Sequence, residues 1–583
     1  MHYGVARLER DDGRKTDFRF LMLTVGVCVL FAVMGLRLAK LQIADRQMYQ
    51  LLASDQHDLQ SRLMPTRGRI LIRDRTDGKA YPLAANRDSW TLYAVPKDMD
   101  DPVKTAHELA PVLGMPDVDL VTKLTAKKDD PYEVLVKDAP IDLIKRFREQ
   151  PMRGIGYSRQ PARLYPEPGM GGQVIGLVTP DDKGQLTGRY GVENAFQEVL
   201  AGKPGMLEGE KDAQGRRLVF ATNNLREAVN GADVVLTLDR SIQFQACEHV
   251  KQGVLEYAAD GGSIVVMEPQ TGAVLAMCSY PDFDPANLKE ISDVGVFNNP
   301  VTFVSYEPGS IFKGITMAAG VDAGKVGPKT TYVDKGEENI DDHTIRNSDL
   351  KAHGVQTMTQ VLELSLNTGS IFVQRQLGKK SFREYVKAFG FGQKTGIGLT
   401  PESAGDISPL DRKGDVFAAT ASYGQGITVT PLQMTSAFAA LANQGTLMRP
   451  NIVAETIYPD GRTVKTEPEK VGQPISARAA HVVSGMLVSV IENGHGQKAG
   501  VPGYWVAGKT GTAQVPKKNG PGYEDGKVIA SLIGFAPADN PKFVMLVKFD
   551  NPRKAQWAES CAAPVWGDMA KFLLQYLGVK PNR

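Results

Sequence analysis

Tyr306-Glu307-Pro308-Gly309-Ser310-Ile311-Phe312-Lys313 runs directly into Gly314-Ile315-Thr316-Met317-Ala318-Ala319. A Pro-Gly pair followed by serine is a helix-start signal, and the apolar run after it reads as the helix. Positions i and i+3 share a helix face. Ser310 and Lys313 are therefore expected side by side at a helix N-terminus, where backbone N–H groups favour developing negative charge. A serine hydroxyl becomes a good nucleophile only when a base removes its proton. A free lysine, with a pKa of about 10.4, is a poor base at neutral pH. Burial and a neighbouring cation would have to lower that value by roughly three units, about 4 kcal/mol, and a second lysine nearby would supply part of it. Ser348-Asp349-Leu350-Lys351 repeats the spacing, but residues 341–347 and 352–354 around it are polar and loop-like, which marks it as a chance copy.

Two distant stretches complete the set. Ser365-Leu366-Asn367 is the only Ser-x-Asn in the chain. Alone it is an ordinary serine and asparagine at a helix end. Beside a lysine base, the hydroxyl would lie on a proton path and the amide would hold a substrate carbonyl. Val506-Ala507-Gly508-Lys509-Thr510-Gly511-Thr512-Ala513-Gln514 reads as a strand, with Gly508 and Gly511 letting a substrate backbone approach closely. Lys394-Thr395-Gly396 also occurs, among glycines and with no strand leading in, so it reads as a loop copy. Each tripeptide is common by chance, but the three in this order, each on its expected element, are not.

Working outward, residues 234–239 read as a strand and the chain from Ser241 as a helix. Strands are expected at 262–267 and 273–278, joined by a hairpin turn at Glu268-Pro269-Gln270-Thr271-Gly272. A helix-rich middle extends to about 493. Strands at 504–507 leading into Lys509, 529–535 and 543–549, then an amphipathic helix over 565–577, close the chain. Strands at both ends with helices between predict one antiparallel sheet flanked by helices, an α+β fold. Before a boundary near Gly231, short strands, short helices and Pro/Gly turns alternate and read as scaffold. Residues 66–74 look like a turn feeding a strand, and 38–64 like a helix ended by Pro65.

At 583 residues, the chain exceeds a single core. A net charge of +2 asks for no nucleic-acid partner. The four cysteines lack zinc-ligand spacing and the eight histidines form no HExxH cluster, so a metal enzyme is not expected. Whether two of Cys247, Cys278 and Cys561 pair is open. Residues 20–36 are almost wholly apolar and uncharged, long enough for a membrane helix. With no small-x-small cleavage site after it, an uncleaved signal anchor fits better than a signal peptide. The five basic residues Arg7, Arg10, Arg14, Lys15 and Arg19 before the span favour a cytoplasmic N-terminus.

The ordered trio resembles the signature of penicillin-binding proteins and class A β-lactamases. From about residue 20 to the C-terminus the chain resembles the class B penicillin-binding proteins, monofunctional peptidoglycan D,D-transpeptidases. Arg67-Gly68-Arg69-Ile70 with Asp74-Arg75, Arg163-Leu164-Tyr165-Pro166 and Tyr190-Gly191-Val192-Glu193 look like that family's pedestal motifs. Leu236-Thr237-Leu238-Asp239, Met267-Glu268-Pro269-Gln270-Thr271-Gly272 and Tyr423-Gly424-Gln425-Gly426 look like landmarks of its catalytic domain. The segments around Ser310 and Lys509 resemble the FtsI-like branch of cell division and sporulation. Departures are Gln173 where many relatives carry His, Ile311 where Thr is common, and an atypical 298–304.

The resemblance implies a cytoplasmic tail over 1–19, a transmembrane signal anchor over 20–40, an elongated mixed α/β pedestal or dimerisation-type domain over 41–230, and a transpeptidase domain over 231–583. That last domain should hold a five-stranded antiparallel sheet flanked by helices, as in serine β-lactamases. Ser310, Lys313, Ser365, Asn367 and Lys509 are implied as catalytic, with backbone N–H groups of Ser310 and Thr512 as the oxyanion hole. Thr510, Gly511 and Thr512 are implied as substrate-binding. No cofactor is implied. Implied partners are peptidoglycan stem peptides on lipid-linked or nascent strands, β-lactams as covalent inhibitors, the cytoplasmic membrane, a SEDS-family glycosyltransferase and divisome proteins. Neither a preceding glycosyltransferase domain nor a repeat domain after Arg583 is expected. The rival readings are a carboxypeptidase or β-lactamase-type hydrolase of the same fold, and a non-catalytic β-lactam receptor or division scaffold.

Overall fold

A computed structural model describes residues 31, 34, 58–63, 65–126, 132–181, 186–210, 224–517 and 520–583. The expected membrane span and the tail before it lie outside these residues, apart from Phe31 and Met34, which are helical and exposed. Among the described residues no helix is long and apolar enough to cross a membrane. The chain divides into two compact units, 1–65 with 203–229, and 66–202 with 230–583.

In the first unit, Asp58–Leu63, Gly205–Glu210 and Asn224–Arg226 form a three-stranded antiparallel sheet. This corrects the helix expected over 38–64 at its described end. Asp58–Leu63 pairs along its whole length, from Asp58 opposite Glu210 to Leu63 opposite Gly205. Ladder pairing with a distant strand outweighs a local helical spacing that has no continuous apolar stripe. The rest of that expected helix is outside the described residues.

In the second unit, the three pedestal-like motifs meet at one buried carboxylate. Glu193 accepts from Arg67 Nε at 2.7 Å and from Arg163 Nε at 2.7 Å. Asn86 then bridges the two arginines, taking Arg163 Nη1 at 2.9 Å and donating to the Arg67 carbonyl. A buried charge persists only when paired and hydrogen-bonded, which accounts for two arginines on one glutamate far apart in sequence. Ile70–Arg73 is a strand, as expected, and joins a seven-stranded sheet. Its neighbour on one side is Ala80–Ala94 and on the other, in parallel, is Asp233–Asp239. Val453–Ile457 and Thr463–Lys465 extend the same sheet. Those two strands fall inside the region read from sequence as helix-rich. Gln173 ties the same part of the chain to the C-terminal half, with Nε2 donating at 3.0 Å to the carbonyls of both Pro281 and Val296.

The C-terminal half is built on the expected five-stranded antiparallel sheet. Its strands are β1 (Gly261–Met267), β2 (Val274–Tyr280), β3 (Ala507–Pro516), β4 (Tyr523–Ala536) and β5 (Phe543–Asp550). Their spatial order is β2-β1-β5-β4-β3, so the first and last pieces of the domain interleave and β3 lies on the edge. Unbroken burial along β1 explains its run of Ile, Val and Val, since a strand covered on both faces does not alternate. Among its helices are α1 (Arg240–Glu256), α2 (Lys313–Asp322), α3 (Met358–Glu363), α4 (Asn367–Leu377), α5 (Pro431–Ala442), α6 (Ala477–Asn493) and α7 (Ala562–Tyr576). α1 and α7 cover one face, where Trp566 is fully buried and its indole N–H donates to the Met545 carbonyl at 2.9 Å. α5 and α6 cover the other, and α2 packs on α4 and α6. All of α5 is buried, and its start is fixed by Pro431 and a reciprocal Thr430–Gln433 capping box.

Cys247 on α1 and Cys278 on β2 form a disulfide, while Cys561 is free and buried. The bond closes a loop of 31 residues. Loop-closure entropy for that length corresponds to roughly 3 to 4 kcal/mol. The Cys247→Ala/Cys278→Ala protein is therefore expected to unfold at clearly lower urea concentration than the oxidised protein. Adding a reductant to the wild type should reproduce the shift, and adding it to the variant should do nothing.

Candidate active site

Ser310 sits in a 3₁₀ turn, Gly309–Phe312, that runs straight into α2. The helix therefore begins one turn later than the sequence suggests, at Lys313. Two neighbours hold this turn. Gly309 N donates to the Gly424 carbonyl at 3.0 Å. A Cβ on Gly424 would lie 2.2 Å from the Gly309 carbonyl oxygen, and its φ is 82°, so that approach requires glycine. Buried Glu307 accepts from Gly426 N at 3.0 Å and from the Tyr523 hydroxyl at 3.1 Å, and burial raises its carboxyl pKa above the ordinary value. The Tyr423-Gly424-Gln425-Gly426 landmark is thus the brace behind Ser310.

β3 presses on the same turn from the other side. A Cβ on Gly511 would stand 2.9 Å from Ile311 Cγ2 and 3.1 Å from Ile311 N, and one on Gly508 would stand 3.2 Å from Ile491 Cδ1. The room these glycines leave is filled on one face of β3 by the nucleophile turn, at Gly511, and on the opposite face by α6, at Gly508.

The three stretches converge on one hydroxyl. Ser365 lies in the turn between α3 and α4, with φ at 56°. That left-handed backbone, which costs roughly 1 to 2 kcal/mol for a residue with a side chain, turns both its carbonyl and its hydroxyl onto Lys313. Lys313 Nζ donates to the Ser365 carbonyl, to Ser365 Oγ at 3.2 Å and to Asn367 Oδ1 at 2.8 Å. Lys509 Nζ donates to the same Ser365 Oγ at 3.1 Å and to the Thr510 carbonyl at 3.0 Å. Asn367 Nδ2 donates to the Arg346 carbonyl at 2.8 Å, which fixes its amide. Among the described residues the Ser310 hydroxyl makes no hydrogen bond, and Lys313 spends its donors on Ser365 and Asn367.

Both lysines are fully buried. Desolvation, and then the nearby Lys509 charge, pull the Lys313 amine well below the ordinary lysine value. Desolvation pushes Lys509 down to about 7. The second lysine asked for by the sequence argument is therefore in place. No carboxylate is hydrogen-bonded to either amine among the described residues.

A cleft of about 360 Å³ opens over this cluster, lined by Ser310, Ser365, Thr510 and Thr512 among others. Thr512 Oγ1 accepts from Ala558 N at 3.2 Å. Ser348 and Asp349, read as a chance Ser-x-x-Lys, are loop residues as expected, yet they line this same cleft. Lys394-Thr395-Gly396 lies elsewhere, where its loop wraps the Glu402 carboxylate, Thr395 N donating at 2.7 Å. The sequence reading missed Glu307 as a brace and missed His353, His495, Trp557 and Glu559 in the cleft wall. The last four stand on turns with no periodicity to announce them. Glu307 directly before Pro-Gly-Ser was the one visible signal.

Residues 262–571 match the penicillin binding protein transpeptidase domain, and residues 62–236 match the penicillin-binding protein dimerisation domain. Stage V sporulation protein D of Bacillus subtilis is 35% identical over 97% of this chain and 86% of its own length. Peptidoglycan D,D-transpeptidase FtsI of Escherichia coli K12 is 27% identical over 97% of this chain and 93% of its own. The crystal structure of penicillin binding protein 3 from Mycobacterium tuberculosis, complexed with aztreonam, superimposes with a TM-score of 0.68 at 28% identity, covering 90% of this chain and 98% of that one. A serine at a helix mouth, two buried lysines on a second serine, and a match over nearly the whole chain lead to one assignment: the chain belongs to the penicillin-binding protein transpeptidases and is a peptidoglycan D,D-transpeptidase.

Proposed function

We propose that Ser310 is the nucleophile that attacks the carbonyl of the penultimate D-alanine of a stem peptide. Its proton passes to Lys313, the Ser310 oxygen bonds to the carbonyl carbon, and the bond to the terminal D-alanine nitrogen breaks as that nitrogen takes a proton through Ser365. Backbone N–H groups of Ser310 and Thr512 hold the oxyanion, each such donor contributing roughly 3 kcal/mol in comparable sites. Thr510 and Thr512 take the substrate carboxylate with Lys509 behind them. Gly511 allows the strand to close on the nucleophile turn, and Asn367 holds an amide of the stem. An amine of a second stem peptide then attacks the acyl carbon. The bond to Ser310 breaks and the amine's proton returns to the serine oxygen. A β-lactam enters as a mimic of the donor and stays attached. The observation that carries this reading is the pair of buried amines converging on Ser365 Oγ at 3.2 and 3.1 Å. Only a lowered lysine pKa makes such a cluster a proton path.

The reading extends to place and partners. Residues 1–19 form a cytoplasmic tail and 20–40 a single-pass anchor in the cytoplasmic membrane. Residues 41–230 form the pedestal and 231–583 the serine β-lactamase-like catalytic domain outside the membrane. The Cys247–Cys278 disulfide favours that side, since such bonds persist in oxidising compartments. Septal cell-wall synthesis beside a SEDS-family glycosyltransferase and divisome proteins is the role the FtsI-like resemblance supports. Mass spectrometry of penicillin-treated protein tests the chemistry. The adduct is expected on the peptide holding Ser310 and should persist for hours. Rapid release of penicilloate would favour the hydrolase reading instead.

A further inference from the structure

The cleft wall holds a second set of charged groups besides the Lys313 and Lys509 amines. Among its described lining residues are two carboxylates, Asp349 and Glu559, and neither a lysine nor an arginine. Each carboxylate is paired with an imidazole. His353 Nε2 lies 2.8 Å from Asp349 Oδ2, and His495 Nδ1 lies 3.0 Å from Glu559 Oε2. The pairs come from different elements. Asp349 and His353 belong to the loop between the His343–Arg346 and Gly354–Thr357 strands, whereas Glu559 is in the turn before α7 and His495 follows α6. Asp349 and Glu559 are 44% and 45% exposed, so both can meet a ligand from solvent. Trp557, which is 56% exposed, lines the cleft two residues from Glu559.

The donor's terminal carboxylate is taken by Thr510 and Thr512 with Lys509 behind them. The reaction's other substrate carries a primary amine, protonated near pH 7 because alkyl ammonium pKa values are about 10.4. Carboxylates and an exposed indole face are the groups that bind an ammonium. The bound ammonium must also lose one proton before its nitrogen can attack. In the tautomer that donates to the carboxylate, the other ring nitrogen, Nδ1 of His353 and Nε2 of His495, is the one able to receive that proton.

We propose that Asp349 and Glu559, with His353, His495 and Trp557, form the subsite that receives the ammonium group of the acceptor stem peptide in the cleft above Ser310. This rests on Ser310 being the acylated residue.

The test follows the fate of one acyl-enzyme. The full chain is acylated with an N-acyl-D-alanyl thioester, and the ratio of aminolysis to hydrolysis is measured with D-lysine or with hydroxylamine, which is uncharged at pH 7. Asp349→Asn and Glu559→Gln are each expected to lower the D-lysine ratio about threefold, and the double variant about tenfold. The hydroxylamine ratio should stay within twofold of wild type. Because the ratio is internal to the acyl-enzyme, the amount of folded protein does not enter it. An unchanged D-lysine ratio, or an equal fall with both amines, overturns the subsite. If instead Ser310→Ala still becomes labelled by penicillin, the nucleophile assignment has failed, and that result is read independently of the ratio.

Discussion

The Ser310→Ala protein is expected to take up no fluorescent penicillin covalently, a loss of at least about 10⁴-fold in acylation. The chemistry leaves no substitute. Ser365 Oγ is already engaged by Lys313 and Lys509, and its backbone is held at φ 56°, facing the amines. Ser348 lines the cleft, but it lies in the Asn347–His353 loop and accepts no hydrogen bond from Lys313 or Lys509, whose donors go to Ser365, Asn367 and Thr510. The turn itself is set by Gly309, Gly424 and Glu307, none of which contacts the Ser310 hydroxyl, so the variant should melt close to wild type. Labelling is read on a gel after incubation with the fluorescent drug. The Lys394→Ala protein serves as the matched control and should label normally, because its Lys-Thr-Gly wraps Glu402 in a separate loop. Covalent labelling of Ser310→Ala at any appreciable rate would remove Ser310 from the mechanism.

Replacing Lys313 by methionine keeps an unbranched apolar stem in a fully buried position and removes only the amine. The acylation rate constant is expected to fall about 10² to 10⁴-fold, the usual contribution of a positioned general base. Stability should change little. The variant leaves the Ser365 carbonyl and Asn367 Oδ1 without this donor, and it also removes an amine that burial penalises when charged. The pH profile separates a base from a packing role. The reactive form of Lys313 is the neutral amine, so wild-type acylation should rise with pH, with its midpoint well below the ordinary lysine value near 10.5, the direction that burial and the Lys509 charge impose. That rise should vanish in Lys313→Met, leaving a slow, flat profile. An equal slope in both proteins, measured by stopped-flow with a chromogenic cephalosporin, would assign the titration to another group.

Most of the catalytic half is legible as sequence because its signals are local. The Ile-Val-Val run of β1, the turn after it, the Pro-Gly-Ser opening of the nucleophile turn and the strand around Lys509 each state their own conformation through periodicity or a turn residue. The trio of motifs, read in order, named the residues that the fold gathers around Ser365. The decoys also declared themselves through their surroundings, with Lys394 between glycines and Ser348 in a polar loop.

What only the tertiary structure decided depends on neighbours far along the chain. Asp58–Leu63 is a strand because Gly205–Glu210 completes its ladder. Gly511 is required by Ile311, two hundred residues earlier, and Glu307 by Gly426 and Tyr523. The depression of both lysine pKa values belongs to no segment, since it arises when distant stretches bury two amines side by side and remove their hydration. Local pattern fixes which backbone a stretch prefers. Desolvation and close packing exist only after distant stretches meet, so the chemistry of the site is a property of the assembled fold.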